Sequence, residues 1–327
     1  METFPKSIIG LERVPQALRS CVLTIGNFDG VHLGHQQILR EARALASDAG
    51  GRVVVLTFEP HPLAIVAPDR APARLMTGEQ RSACLLAAGV DAVVVARSDS
   101  ALLSMEPADF VRQIIVEKFA PTHVVEGWSF GFGKGRLGNP QLLQELGGLL
   151  DFETEIVEPI KLPIGGESVP VTSSLIRQLL GHGRVEQARE CLGRPYALTG
   201  EIRAGQGRGR DLGFPTANLA DVRQLVPAAG VYAGTAQVKG RTVAAAVSIG
   251  SAPTFGGEGL QIEAHLLDYS EDLYGEQMTV ELLEYLREQR RFDAPAALVR
   301  QIQEDVESVR RSAAADGPTN GGENSCR

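Results

Sequence analysis

The chain of 327 residues reads as an α/β protein in two parts. A parallel sheet layered with helices comes first, followed by a small antiparallel β-barrel with a closing helix. Three observations predict this. In the first half, strand-like apolar runs alternate with helix-like stripes, and that order builds a parallel sheet through right-handed crossovers. From about Tyr196 to Leu286 the apolar runs become short, alternating and broken by Gly and Pro, which suits a small barrel. A last helical stripe then carries Leu298, Ile302, Val306 and Val309. With 43% hydrophobic content over this length, two cores are expected rather than one.

The first-half strands are expected at Val22–Ile25, 53–58, 92–96 and 123–125, with a weaker one at 152–157. After His35, residues Ile38, Leu39, Ala42, Leu45 and Ala46 form one helical stripe, ended by Gly50 and Gly51. Thr77 with Gln80 reads as a capping box for a helix through Ala88. Phe110, Ile114 and Ile115 mark a further helix, and Asn139-Pro140 an N-cap with proline behind it. Barrel strands are expected at 196–204, 231–238, 242–249, 261–267 and 278–285. The first domain is expected to span 1–185 and the second 186–312, with 313–327 a Gly-, Asn- and Ser-rich disordered tail.

The formal net charge of −8 argues against a dedicated nucleic-acid binder, which carries a basic face. Cys21, Cys84, Cys191 and Cys326 are widely spaced with no CxxC pair, so neither a metal cluster nor a disulfide framework is expected. The residues Met1 to Lys6 lack the basic and apolar regions of a signal peptide, and no apolar run is long enough to cross a bilayer. A cytoplasmic protein without nucleic-acid or membrane partners is expected.

The most informative stretch is Asn27-Phe28-Asp29-Gly30-Val31-His32-Leu33-Gly34-His35. It lies between an expected strand and an expected helix start, where free N–H groups and the helix dipole favour an anion. The chemistry implied is nucleotidyl transfer, which needs stabilisation of a crowded phosphorus centre more than a covalent nucleophile. His32 and His35 are candidates to bind ATP phosphates and stabilise the leaving pyrophosphate. Asn27 and Asp29 are expected to shape the turn beside the phosphates, with Asp29 as a helix cap the alternative. Ser173, Ser174 and Arg177, in Thr172-Ser173-Ser174-Leu175-Ile176-Arg177, put hydroxyls and a guanidinium at another helix start, a second phosphate clamp. Between Gly127 and Arg136, glycines interleave with Phe130 and Phe132, which suits a loop covering a flat ring. His61, in Phe58-Glu59-Pro60-His61-Pro62, is assigned a loop-stabilising role.

In the second half, Gly205-Gln206-Gly207-Arg208-Gly209-Arg210 makes a flexible cationic flap able to approach phosphates. Thr216 and Asn218 are two apart, so on a strand they face one way and offer hard oxygens to Mg²⁺. Transfer of phosphate to a hydroxyl also needs a group to take its proton, and Glu263 on an alternating strand is the candidate. His265 and Asp268 are assigned supporting roles.

The run Gly26-Asn27-Phe28-Asp29-Gly30-Val31-His32-Leu33-Gly34-His35 resembles the HxGH signature of adenylyl- and cytidylyltransferases. In this longer form it is most similar to the adenylyltransferase half of bacterial bifunctional riboflavin kinase/FAD synthetases. Thr172 to Arg177 resembles that family's S-S-T-x-I-R, and Gly205 to Asn218 its riboflavin kinase signature G-x-x-R-G-R-x-L-G-F-P-T-A-N. The resemblance implies a Rossmann-like nucleotidyltransferase domain followed by a riboflavin kinase barrel. Riboflavin, FMN and ATP would be the substrates, with Mg²⁺ as cofactor. Glu263, in the family's E-x-H-L-L-D stretch, would be the kinase base. Phe130, Phe132, Tyr232, Arg287 and Phe292 would meet the flavin, Pro253-Thr254-Phe255-Gly256 would line a substrate site, and Leu273-Tyr274-Gly275 would help to close the barrel. Two positions depart from the family: Ser129 stands where it has an acid or amide, and Gln289 where it often has Glu. A kinase with a weakened adenylyltransferase half is the alternative those departures raise.

Overall fold

The computed structural model describes residues 4–205, 209, 212–251 and 260–315. They form two compact units, one through Thr172 and one from Ser173.

The first unit is a parallel sheet of strands β1 (Ser7–Ile9), β2 (Val22–Ile25), β3 (Val53–Glu59), β4 (Ala92–Arg97), β5 (His123–Gly127) and β6 (Glu153–Val157). Their spatial order is β1-β4-β3-β2-β5-β6, and every adjacent pair is parallel. Both faces are covered, which is why the central strands read as continuous apolar runs. One face of the sheet packs Leu23, Ile25, Val54 and Leu56 with Phe110, Ile115, Phe119 and Leu143. The other packs Val22, Val53 and Val55 with Ile38, Leu39, Ala42 and Leu85. Each such side chain contributes about 2 kcal/mol by leaving water.

The helices start and stop where their caps dictate. Helix α1 (Leu33–Ala49) ends at Gly50 with φ +63°. Helix α2 (Pro62–Val66) is capped by His61. Helix α3 (Gly78–Ala87) opens with the expected capping box, Gln80 N donating to Thr77 Oγ1 and Thr77 N to Gln80 Oε1. After the short helix α4 (Ser100–Leu103), α5 (Pro107–Phe110) runs on as a π-helix through Phe119. In α6 (Pro140–Leu149), Asn139 accepts from Leu142 N and Pro140 follows the cap. The sequence did not reveal β1, which is three residues long, or the hairpin β7 (Lys161–Ile164) and β8 (Glu167–Pro170). That hairpin turns on Gly165 and Gly166, both at positive φ, and buries little, so it leaves a weak hydrophobic pattern.

Strand order reverses at β2, which continues to β3 on one side and meets β5 on the other. In open parallel sheets ligands bind beyond the carboxyl ends of the strands at such a reversal.

The second unit begins with helices α7 (Ser173–Gly181) and α8 (Val185–Leu192). A closed antiparallel barrel follows, from β9 (Tyr196–Arg203), β10 (Ala217–Ala220), β11 (Gly230–Val238), β12 (Arg241–Ser251), β13 (Leu260–Leu266) and β14 (Gln277–Arg287), in the order β10-β13-β12-β11-β14-β9. The helical pair belongs with this barrel: Ala228 N donates to Leu180 O, and Tyr285 N to Glu186 Oε1 at 2.8 Å. The short strand β10 was not expected, although the residues it carries were singled out. Helix α9 (Pro295–Ala315) lays Val309 against Ala233 and Leu267. It continues to Ala315, so residues 313 to 315, expected in the tail, are helical; residues 316–327 lie outside the described residues.

A buried ion pair pins α9 to the barrel. Arg287 Nε and Nη2 donate to the two carboxylate oxygens of Asp305 at 2.9 and 2.7 Å. Asp305 is buried, and Gln301 Nε2 also donates to it. Removing one partner strands the other charge. Asp305→Ala is expected to destabilise the second unit by about 3 kcal/mol, read as a lower urea midpoint with an unchanged m-value.

Candidate active site

In the first unit the segment from Gly26 to His32 leaves β2 under backbone tension. Phe28, Gly30 and Val31 all have positive φ, at +47°, +87° and +39°. For a β-branched residue such as Val31 that conformation is costly and persists only where packing over-determines it. The packing is present: Phe28 and Val31 are buried in the core beneath α1. With those apolar groups turned in, the polar ones are held at the head of α1.

His32 is the N-cap of α1, its Nδ1 accepting from His35 N at 3.4 Å. An accepting Nδ1 places the proton of the neutral ring on Nε2. The rings of His32 and His35 stack with centroids 3.7 Å apart, and Phe28 lies 5.0 Å from His35. Gly34 lets the chain pass close here: a Cβ would sit 3.2 Å from the His32 ring and 3.3 Å from Val171 O, and the ring would have to give.

Asp29 does not cap α1, since His32 does. Its carboxylate accepts from Leu75 N at 3.0 Å and Met76 N at 3.2 Å. This carboxylate ties the turn to the segment before α3, as a residue that shapes the turn would. Arg81 holds the same loop, donating to Asn27 O, Phe58 O and Glu59 Oε2, each at 3.1 Å, while Arg74 pairs with the other Glu59 oxygen at 2.7 Å. Burial lowers the Arg81 pKa, opposed chiefly by Glu59 and Asp29.

Asn27 Nδ2 lies 3.1 Å from His61 Nε2, and Asn27 Oδ1 is buried without a partner. His61 Nδ1 accepts from Leu63 N, so its proton is on Nε2. A half-turn of the carboxamide pairs that proton with Oδ1 and turns the Asn27 NH₂ into the partnerless position, as a donor. Loop stabilisation by His61 is thereby given a mechanism.

Sequence reasoning missed Glu126. It is the last residue but one of β5, is 2% exposed, and accepts from Ile25 N at 2.5 Å. Burial pushes its carboxyl well above the usual carboxylate range, opposed by the N–H groups of Ile25 and Gly127. A carboxylate closing an apolar strand run is the one trace it leaves in the sequence.

The loop after β5 divides its aromatic residues. Phe132, expected at the flavin, is buried in the core against Phe110. Phe130 is half-buried and stacks on Phe132 at 5.4 Å. Ser129 is exposed and its carbonyl accepts from Arg136 Nη2. Ser173 and Ser174 open α7, with Arg177 in its first two turns.

In the second unit the strand register builds the site. Asn218 of β10 lies directly opposite Glu263 of β13, which lies opposite Ser248 of β12. Directly opposed residues point to one face, here the outer one, because Leu219, Ile262, Ala264 and Val247 fill the interior. Thr216 immediately precedes β10, and a Cβ at Gly205 would fall on the Asn218 carboxamide. His265 Nδ1 meets Pro215 O at 2.9 Å and its ring packs edge-on to Phe214 at 5.4 Å, which ties the loop to the strand. Gln289 Nε2 donates to Ser248 Oγ at 2.8 Å. Arg208, Arg210 and Pro253-Thr254-Phe255-Gly256 lie outside the described residues.

Two residues expected at the flavin have partners within the protein. Tyr232 is fully buried, its hydroxyl donating to Ala228 O at 2.5 Å and its ring edge-on to Tyr285, so it supports the barrel. Burial raises its pKa. Arg287 is committed to Asp305, with Phe292 beside its guanidinium at 5.9 Å. The interior position of Tyr232 is set by barrel register, which its own motif does not disclose.

A parallel sheet with a histidine-capped helix at its reversal, joined to a closed barrel with Asn218 and Glu263 on its wall, defines a two-unit enzyme that transfers parts of nucleotides. Residues 14–173 match the FAD synthetase family and residues 192–313 the riboflavin kinase family. The bifunctional riboflavin kinase/FMN adenylyltransferase of Pseudomonas fluorescens is 37% identical over 93% of this chain and 97% of its own. Those of Escherichia coli (strain K12) and Bacillus subtilis (strain 168) are 36% and 32% identical, over 93% and 89% of this chain and 97% and 92% of theirs. A crystal structure described as a macrolide-efflux protein from Streptococcus pneumoniae superposes with TM-score 0.84 at 28% identity, over 94% of this chain and all of that one (100%). The chain therefore belongs to the bifunctional riboflavin kinase/FMN adenylyltransferase family. Because both family domains are present, the kinase-alone alternative is not favoured. No described helix is long and apolar enough to cross a membrane.

Glu126 gives the first unit a pH signature. Its folded pKa lies above the ordinary 4.5, so its share of stability is complete below that pH and is lost as pH rises through the raised value. Relative to Glu126→Gln, the wild-type chain is therefore expected to lose unfolding free energy as pH rises from about 4.5, measured by urea titrations at several pH values.

Proposed function

We propose that the chain makes FAD from riboflavin in two ATP-dependent steps, FMN being the product of the second unit and the substrate of the first. The observation that carries the kinase step is the register pair Asn218 and Glu263 on one open face of the barrel. Glu263 has no hydrogen-bond or ion-pair partner among the described residues, as a waiting base requires. It takes the proton of the ribityl 5′-hydroxyl as that oxygen bonds to the γ-phosphorus of ATP. The bond from the γ-phosphorus to the bridging oxygen breaks, and ADP leaves. Arg208 and Arg210 would steady the phosphates, and Phe292 would lie near the flavin ring.

The donors available to Mg²⁺ are neutral oxygens, the Thr216 hydroxyl and the Asn218 amide. They fit an ion that phosphate oxygens and water otherwise surround. Among the described residues no group of three or more His, Cys, Asp or Glu side chains could hold a metal. Bound there, the ion would supply charge neutralisation across the phosphates.

In the first unit an FMN phosphate oxygen attacks the α-phosphorus of a second ATP, and pyrophosphate leaves. His32, with Nε2 protonated, and His35 stabilise the departing charge together with the N–H groups that open α1. Asn27 donates from its NH₂. Ser173, Ser174 and Arg177 act as phosphate ligands at their own helix start, the head of α7. Phe130 meets the flavin, with Phe132 beneath it as support.

Two variants test the division of labour by chromatography of products from riboflavin, Mg²⁺ and ATP. His32→Ala is expected to cut FAD formation about a hundredfold while FMN still accumulates. Undiminished FAD would refute the first-unit assignment. Glu263→Gln is expected to slow FMN formation about 10²- to 10⁴-fold and to leave adenylylation of supplied FMN unchanged. A normal FMN rate would remove Glu263 as the base.

A further inference from the structure

Two strands of the sheet part company at the place where the phosphate cradle begins. The described pairing of β2 with β5 stops at Leu23↔Val124. Each strand nevertheless continues with its outer neighbour, β2 with β3 through Ile25↔Leu56 and Gly26 N to Leu56 O, and β5 with β6 through Gly127↔Val157. The gap between them contains the Glu126 carboxyl, 2% exposed, with Ile25 N–H donating to Oε1 at 2.5 Å. The side chain stands in for the missing rung of the ladder. Two residues past Ile25 comes Asn27, and seven past it His32.

We infer that Glu126 is a positioning residue for adenylyl transfer: it wedges β2 and β5 apart, satisfies Ile25 N–H in the gap, and sets the direction in which Gly26 to His35 leaves the sheet. The inference rests on the reading of that segment as the ATP cradle. Direct β2–β5 pairing through Ile25 would close the crevice that the strand reversal opens. An apolar side chain in the gap would leave a buried N–H unsatisfied, and the turn would relax to recover it. The role needs an acceptor of the right length, so glutamine serves and leucine does not.

The full chain carrying Glu126→Gln or Glu126→Leu tests this. Glu126→Leu is expected to lower kcat/KM for ATP in FMN adenylylation about tenfold or more, with riboflavin phosphorylation by the same molecules unchanged. Glu126→Gln is expected to restore adenylylation to near the wild-type value. A merely structural contribution would shift the melting temperature and leave kcat/KM of the folded fraction untouched, so rates are compared well below the transition. Calorimetry with α,β-methylene-ATP gives a readout independent of turnover, one of two sites weakening about tenfold in Glu126→Leu and neither in Glu126→Gln. Unaltered adenylylation and binding in folded Glu126→Leu would overturn the inference, as would equal damage in both variants. Should Glu126→Leu not fold, amide exchange in the wild-type chain decides: Ile25 exchanging as slowly as Leu23 supports the bridge, and fast exchange overturns it. A wild-type chain that makes no FAD would instead sink the proposed activity, leaving the binding comparison to judge Glu126.

Discussion

The first unit depends on how the chain leaves β2. Parallel strands exhaust their backbone hydrogen bonds on each other, and a ligand crevice exists where two neighbours stop doing so. Here the separation falls between β2 and β5, and its cost is met locally. Phe28 and Val31 fold under α1 at positive φ, Asp29 ties the loop to Leu75 and Met76, and Arg81 grips it from below. The histidines at the head of α1 are therefore the visible end of a braced assembly. Its polar members, Asp29 and Arg81, are buried, where unpaired groups are expensive.

The second unit solves the same problem by other means. A barrel has no free carboxyl edge at which to open a crevice, so its polar groups stand on the outer wall, aligned by register. Asn218, Glu263 and Ser248 come from three strands far apart in sequence, and antiparallel pairing brings them into one row. The Arg287–Asp305 pair holds α9 against that wall, and His265 holds the loop before β10.

Much of this was legible in the residues. The long central strands, the capping box at Thr77, the Asn139-Pro140 cap and the glycine stop at Gly50 all lie where pattern and turn chemistry place them, because each is a local decision. The short motif around His32 was legible for the same reason. Less legible were features that depend on partners distant in sequence. Asp305 is one acid in a charged helix until Arg287 reaches it. Glu126 looks like a strand-end acid until β2 turns away from it. Tyr232 and Phe132 sit in motifs that suggest ligand contact, and packing turns both inward. Thr216 and Asn218 were read as strand neighbours, yet β10 starts at Ala217, which leaves Thr216 in the loop.

Helices α7 and α8 fall almost entirely outside both family matches, which end at 173 and resume at 192, yet their hydrogen bonds run to the barrel. The inherited module is thus longer than its recognisable signature. An excised kinase begun at residue 192 would lose Leu180, whose carbonyl accepts from Ala228 N, and Glu186, the acceptor of Tyr285 N, whereas one begun at Ser173 would carry its own buttress. A cut just before Ser173 would part the chain with these hydrogen bonds intact.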